Sequence, residues 1–321
     1  MRRAGCGGNR GIVTSSGPGA DGADGAAGRA QADADAAAAA SDVSVRELAL
    51  SSEHHDVERL LSDIWSTQPG QPPLPAHVTR TLSLIGGYTA GAFGSDGELL
   101  GAAAGFLTRE TAELGTAHLH SHIAGVAQAA RGRHVGFALK LHQRAWALSR
   151  GIERITWTFD PLVARNAYFN LTKLGARATM YLPDFYGDMS DGINAGQGSD
   201  RLLADWQLTR LLPRGHRAAG PGGPPPSARL VLRPDERGAP VRADPAGGGP
   251  LACAIPSDIE RTRREDPGLS LAWRRAVRDV LGGAMGGAYC VTGFARAGWY
   301  VLEPALPGTA GGMAVAAEQA K

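Results

Sequence analysis

The chain has 321 residues, and its 45 glycines and 20 prolines, about a fifth of the total against a usual eighth, exclude one uninterrupted packed domain. Lysine plus arginine (33) nearly balances aspartate plus glutamate (31), which excludes a strong field aimed at nucleic acid or an anionic membrane. Cys6, Cys253 and Cys290 are too scattered for a metal knuckle or a secreted disulfide scaffold, and the longest apolar run, over 99–107, is too short for a bilayer. A soluble, cytoplasmic protein is expected.

Residues 1–40 hold 13 Ala, 9 Gly and no aromatic residue. That is too little apolar surface to offset ordering the backbone, so a disordered leader over 1–41 is expected. Met1-Arg2-Arg3 starts like a signal peptide, but no apolar run follows and export is not expected. The denser region 42–213 opens with a period-2 run over 43–48 that suits a strand. Ser51 or Ser52 then caps a helix through Trp65, with Val57, Leu60, Leu61 and Ile64 on one face. His54 and His55, just inside that helix, are expected at the surface. Pro72, Pro73 and Pro75 precede a second short helical or looped segment. Strands over 90–93 and 99–107 flank Asp96-Gly97, a hairpin signal.

A strand over 117–126 leads through Arg131-Gly-Arg133 into a helix from Gly136 to about Arg150, stopped by Gly151. A strand over 155–159 ends at Asp160-Pro161, a helix over 164–174 ends at Gly175, and strands over 179–182 and 201–208 follow. This order predicts an α/β (α+β) fold, a mixed sheet with helices on its faces. Residues 214–250, with eight Gly and eight Pro, read as a linker of polyproline II character holding one short strand over 228–233. Beyond it a small βααββ unit, 251–304, either extends the sheet or serves dimerisation, and 305–321 is a tail.

The chemistry is concentrated in the middle. A basic glycine turn at a helix start offers free N–H groups and fixed charge to a pyrophosphate, and a solvated turn has the same look. Upstream, His118, His120 and His122 share one face of the predicted strand. Polar packing, a metal chelate and acid/base work all suit such a row; no Cys or acidic partner lies nearby in sequence for a metal.

Taken together, Val126, the turn Arg131-Gly-Arg-His-Val-Gly136, the helix start Phe137-Ala-Leu-Lys-Leu141 and the segment Asn166-Ala-Tyr-Phe-Asn-Leu-Thr-Lys-Leu-Gly175 resemble the acyl-CoA motifs of the GNAT superfamily of N-acyltransferases. The resemblance spans 43–208. The stretches Leu119-His-Ser-His-Ile123, Trp157-Thr-Phe-Asp-Pro161 and Asp191-Gly-Ile-Asn194 resemble a little-characterised bacterial branch of it.

The resemblance implies a mostly antiparallel sheet and an N-acyltransferase using acetyl-CoA or another acyl-CoA by direct attack in a ternary complex. It implies that Val126, Arg131, Gly132, Arg133, His134, Val135, Gly136, Phe137 and Asn166 hold the co-substrate, and that His120 and His122 are the base or proton relay. The expected acceptor is a small-molecule amine rather than a protein, with no nucleic-acid, membrane or metal partner, and a homo-oligomer is compatible. A non-catalytic acyl-CoA-binding or interaction module is the alternative. Two departures bear on it: His134 stands where the motif has its first glycine, and Leu171 where many members carry the tyrosine that protonates the thiolate. The loop over 184–200 is a candidate cover for the acceptor site.

Overall fold

The computed structural model describes residues 20–68, 70–111, 115–187, 198–213, 222–244, 247–287 and 289–305. Its elements in chain order are α1 (Ala20–Ala40), β1 (Ser44–Glu47), α2 (Ser51–Trp65), α3 (Ala76–Leu84), β2 (Tyr88–Phe93), β3 (Leu99–Leu107), β4 (Leu119–Val126), α4 (Val135–Leu148) and β5 (Arg154–Phe159). There follow α5 (Ala164–Ala167), continued by a π-helical turn (Tyr168–Lys173), then β6 (Arg177–Leu182) and β7 (Arg201–Gln207). The remainder comprises β8 (Arg229–Pro234), β9 (Pro240–Arg242), β10 (Leu251–Ala254), α6 (Ile259–Glu265), α7 (Pro267–Val277), α8 (Gly283–Gly286), β11 (Tyr289–Ala295) and β12 (Trp299–Pro304).

All twelve strands join one sheet in the order β1-β2-β3-β4-β5-β7-β6-β11-β12-β10-β8-β9. Among the described residues only β4–β5 and β8–β10 pair in parallel; the mixed, mostly antiparallel sheet is the expected fold class. One core holds α4, the sheet and the C-terminal helices, with Leu139, Ile155, Leu202, Trp273 and Tyr300 buried in it. On the opposite face, α2 and α3 close a second core against β2 and β3 through Leu61, Leu82 and Ala102. Among the described residues no helix is long and apolar enough to cross a membrane.

Three expectations are corrected. Within the disordered leader expected over 1–41, residues 20–40 form α1; residues 1–19 lie outside the described region. Ala26, Ala30 and Ala34, one turn apart, are buried, and Arg144 of α4 pairs with Asp33 at 3.0 Å. Alanine has the highest helix propensity, and its short side chain lets two helices approach closely, so a segment without large apolar residues still packs. Second, the stretch 214–250 holds not only the short strand expected over 228–233, which is β8 with Val231 and Leu232 buried, but also β9, and both join the sheet. Third, His54 is buried, its Nδ1 3.0 Å from the Thr79 hydroxyl, because α3 packs over that face of α2; His55 is exposed.

Candidate functional site

The parallel pair β4–β5 is bonded only at its start. Leu119 faces Ile155 and His120 faces Thr156, after which the two strands part. Each keeps its outer neighbour: β4 stays paired to β3 as far as Val126–Gly101, and β5 to β7 as far as Phe159–Leu202. The result is a cleft between two strand edges. Ala127 donates its N–H to Leu100 of β3 at 2.8 Å. Strand N–H groups alternate in direction, so the N–H of Val126 points to the other side, into the cleft.

The cleft opens toward the turn before α4. Gly132 has φ +84°, and His134, the residue before the helix, has φ 63° and ψ 12°. The left-handed conformation costs a non-glycine residue roughly 1–2 kcal/mol. Among the described residues, the backbone N–H groups of Gly132, His134, Val135 and Gly136 have no protein acceptor. A Cβ built on Gly136 would meet nothing nearer than Val126 at 3.6 Å, so protein packing does not demand glycine there. Arg131 is exposed; its backbone N–H donates to the Gln128 carbonyl at 3.2 Å, and its guanidinium has no hydrogen bond or ion pair among the described residues. Arg133 turns the other way, toward the carbonyls of Ser41 and Asp42 at the end of α1, both at 3.5 Å. Four amides, one guanidinium and the positive end of a 14-residue helix form a nest suited to a phosphate or pyrophosphate.

Further along, Phe137 packs edge-on to Phe169 of the π-helical turn, with ring centroids 6.4 Å apart. Asn166 stands exposed on α5, its side chain unpartnered among the described residues. Leu171 is buried in the core. The Tyr181 hydroxyl donates to Asp200 at 2.6 Å, while that of Tyr186 lies 3.0 Å from Thr158 of β5.

At the closed end of the cleft His122 separates from His118 and His120. His118 precedes the strand and is buried. His120 is half-buried, its Nδ1 3.0 Å from the Thr156 hydroxyl. A β-bulge opposite Ala104 and Gly105 leaves His122 without a pairing partner in β3 and aims its ring at Phe106, centroid to centroid 5.3 Å. Burial lowers the pKa of all three, that of His120 to about 4, where His122, His118 and Lys140 add like-charge repulsion. The row expected on one face is thus broken at His122 by the bulge, whereas His118 and His120 meet at the Thr156 hydroxyl.

Lys140, Thr156, Thr158 and Tyr186 were not singled out from the sequence. Lys140 of α4 is buried, donating to Ser121 at 2.9 Å and Gln143 at 3.1 Å with its ammonium 4.0 Å from the Trp157 ring centre. Burial without a carboxylate brings its pKa down to about 7. The signal was present: a lysine between Leu139 and Leu141 in an apolar run, and alternating threonines in Thr156-Trp-Thr158. Among the described residues no group of three or more His, Cys, Asp or Glu side chains is placed to hold a metal. Asp191-Gly-Ile-Asn194 and the middle of the 184–200 loop lie outside the described residues.

No protein-family model and no curated protein matches the chain. Among solved structures it is similar to an acetyltransferase of the GNAT family from Streptococcus pneumoniae, at 15% identity over 51% of this chain and 99% of that one, with a TM-score of 0.39. An N-acetyltransferase from Staphylococcus aureus Mu50 is similar at 15% identity, covering 52% and 98%, with a TM-score of 0.40. Naa20 of Chaetomium thermophilum, in complex with a bisubstrate analogue, is similar at 18% identity, covering 52% and 88%, with a TM-score of 0.41.

Proposed function

We propose that this protein is an acyl-CoA-dependent N-acyltransferase, with acetyl-CoA as donor and a small-molecule amine as acceptor, working by direct attack in a ternary complex. One observation carries the reading: the parting of β4 from β5 turns the Val126 N–H into a cleft whose mouth is the four-amide nest with Arg131. An acyl-CoA has the complementary parts, a pyrophosphate for the nest and an extended pantetheine arm for a free strand edge. When bound it supplies a thioester, whose carbonyl an amine can attack.

The chain's own residues then have distinct tasks. Arg131 and the amides of Gly132, His134, Val135 and Gly136 hold the phosphates. The Val126 N–H donates to the thioester carbonyl and stabilises the negative charge that grows there. Asn166 and Phe137 flank the path of the pantetheine arm. An attacking amine must shed a proton, and an imidazole that is neutral at pH 7 accepts it; His120 lies on the cleft and His122 is exposed to pass the proton to water. The acceptor enters on the face that carries Thr156, Thr158 and Tyr186. Leucine at 171 offers no hydroxyl to protonate the thiolate, and His134 stands in place of a glycine in the turn; these two residues favour the second reading, a non-catalytic acyl-CoA-binding or interaction module.

Calorimetric titration with acetyl-CoA, followed by thiol release against a panel of amines, tests both. Binding with amine-dependent release supports the enzyme, and binding without release supports the module. No binding at millimolar acetyl-CoA overturns both.

A further inference from the structure

Which nitrogen of His120 can accept a proton is decided by a hydrogen-bond chain that starts outside the cleft. His118 is buried and burial lowers its pKa, so it carries one ring proton at neutral pH. Its Nδ1 is 2.8 Å from the Thr116 carbonyl, which can only accept, so that proton sits on Nδ1. The Thr108 hydroxyl, 3.0 Å from the same nitrogen, agrees, because its own proton goes to the His118 carbonyl at 3.0 Å. Nε2 of His118 therefore bears a lone pair. The Thr156 hydroxyl, 3.0 Å away and fully buried, must donate to it. A hydroxyl has one proton. Toward Nδ1 of His120, also at 3.0 Å, the Thr156 oxygen can then only accept.

We infer that Thr156 and His118 are positioning residues that lock His120 as its Nδ1–H tautomer and so make Nε2 the proton acceptor. The inference rests on the acyltransferase reading and names the atom that serves it. Nε2 has no partner among the described residues. In the step, the amine nitrogen bonds to the carbonyl carbon, the carbon–sulfur bond breaks with its electron pair leaving on sulfur, and the surplus proton on nitrogen passes to Nε2. The Nδ1–H bond to Thr156 then becomes charge-assisted. The titratable groups facing His120 are His118, His122 and Lys140, and the Arg154–Asp205 pair faces His118. All three groups facing His120 oppose positive charge there, so the proton is handed on rather than kept.

Long-range 1H–15N spectra of the imidazole nitrogens in the full chain read the tautomer without any substrate. The expected wild-type pattern is a protonated Nδ1 and a bare Nε2 on His120. Thr156→Val, close in shape but without the hydroxyl, should give a mixed or reversed tautomer and lower kcat about 10–100-fold, with the KM for acetyl-CoA unchanged. Thr156→Ser should restore the tautomer and return kcat to within about threefold. A wild-type His120 protonated on Nε2 overturns the inference, and needs no variant to fold. A Thr156→Val protein that keeps the wild-type tautomer overturns it equally. A wild-type protein with the expected tautomer that binds acetyl-CoA but transfers to no amine overturns the acyltransferase reading, and with it the role of Nε2.

Discussion

The turn over 131–136 and the carboxylate of Asp160 each follow a strand of the parting pair, and each gathers arginines, but they are completed in opposite ways. Asp160 is buried and saturated: Arg274 donates to both its oxygens at 2.8 and 2.7 Å, Arg263 at 2.6 Å and the Leu162 amide at 2.8 Å. Both arginines come from the C-terminal helices, and Tyr300 adds a 2.7 Å bond to the Pro161 carbonyl beside them. The turn has four amides and the Arg131 guanidinium without acceptors among the described residues. Buried polar groups in native proteins are satisfied, so the saturated set at Asp160 holds the fold, whereas the exposed donors of the turn are met by water and are free to exchange it for an anion. On that distinction the C-terminal unit braces the end of β5, and the turn is where the proposed co-substrate would bind.

The contrast breaks if each side fails to show its own kind of loss. Asp160→Asn should have the largest effect, lowering unfolding free energy in urea by about 3–5 kcal/mol, because two buried guanidinium groups lose their carboxylate. Acetyl-CoA affinity of the folded protein should stay within about threefold. Arg131→Ala should do the reverse: acetyl-CoA binding weaker by about 10–100-fold in calorimetry, less so at high salt, with stability within about 0.5 kcal/mol of wild type.

A pH series sharpens the same contrast. The arginines and the Leu162 amide hold the Asp160 carboxyl far below its ordinary value despite burial. A depressed carboxylate contributes stability that is complete above the unfolded pKa of about 4 and fades as pH falls through the folded value. Acid unfolding of wild type should therefore be steep below pH 4, and flatter in Asp160→Asn. Lys140 acts at the other end. Its pKa is about 7 when folded and 10.5 ordinarily, so the unfolded chain binds the extra proton and stability rises from pH 7 toward 10. Lys140→Met should remove that rise. The smallest effect is expected from His134→Gly, which relieves a left-handed residue and should add about 0.5–1 kcal/mol while leaving the nest intact.

Much of the region 43–208 was legible because its elements are punctuated: Asp96-Gly97, Gly151 and Gly175 sit where chains turn, and the apolar periods between them are clean. The turn before α4 was legible for the same reason, since Gly132 is a local signal. What escaped was non-local. Nothing near Asp160 in sequence announces Arg263 or Arg274, more than a hundred residues on. The bulge at His122 depends on the register of β3, and the proton order along His118, Thr156 and His120 on two strands meeting. The helix α1 was missed because small residues were weighed by the surface they bury, whereas Ala26, Ala30 and Ala34 act through how near they let α4 come.

The twelve-stranded sheet has a consequence at its margins. Its outer strands, β1 and β9, are only four and three residues long. One ends in Arg46 and Glu47; the other carries Pro240 and Arg242, the latter paired with Asp279. A short border of charge and proline offers an incoming strand few amides to grip and a strong cost in desolvation. Lengthening of the sheet from copy to copy, whether as an exchanged-strand dimer or as a fibril, has little to start from at these two described edges.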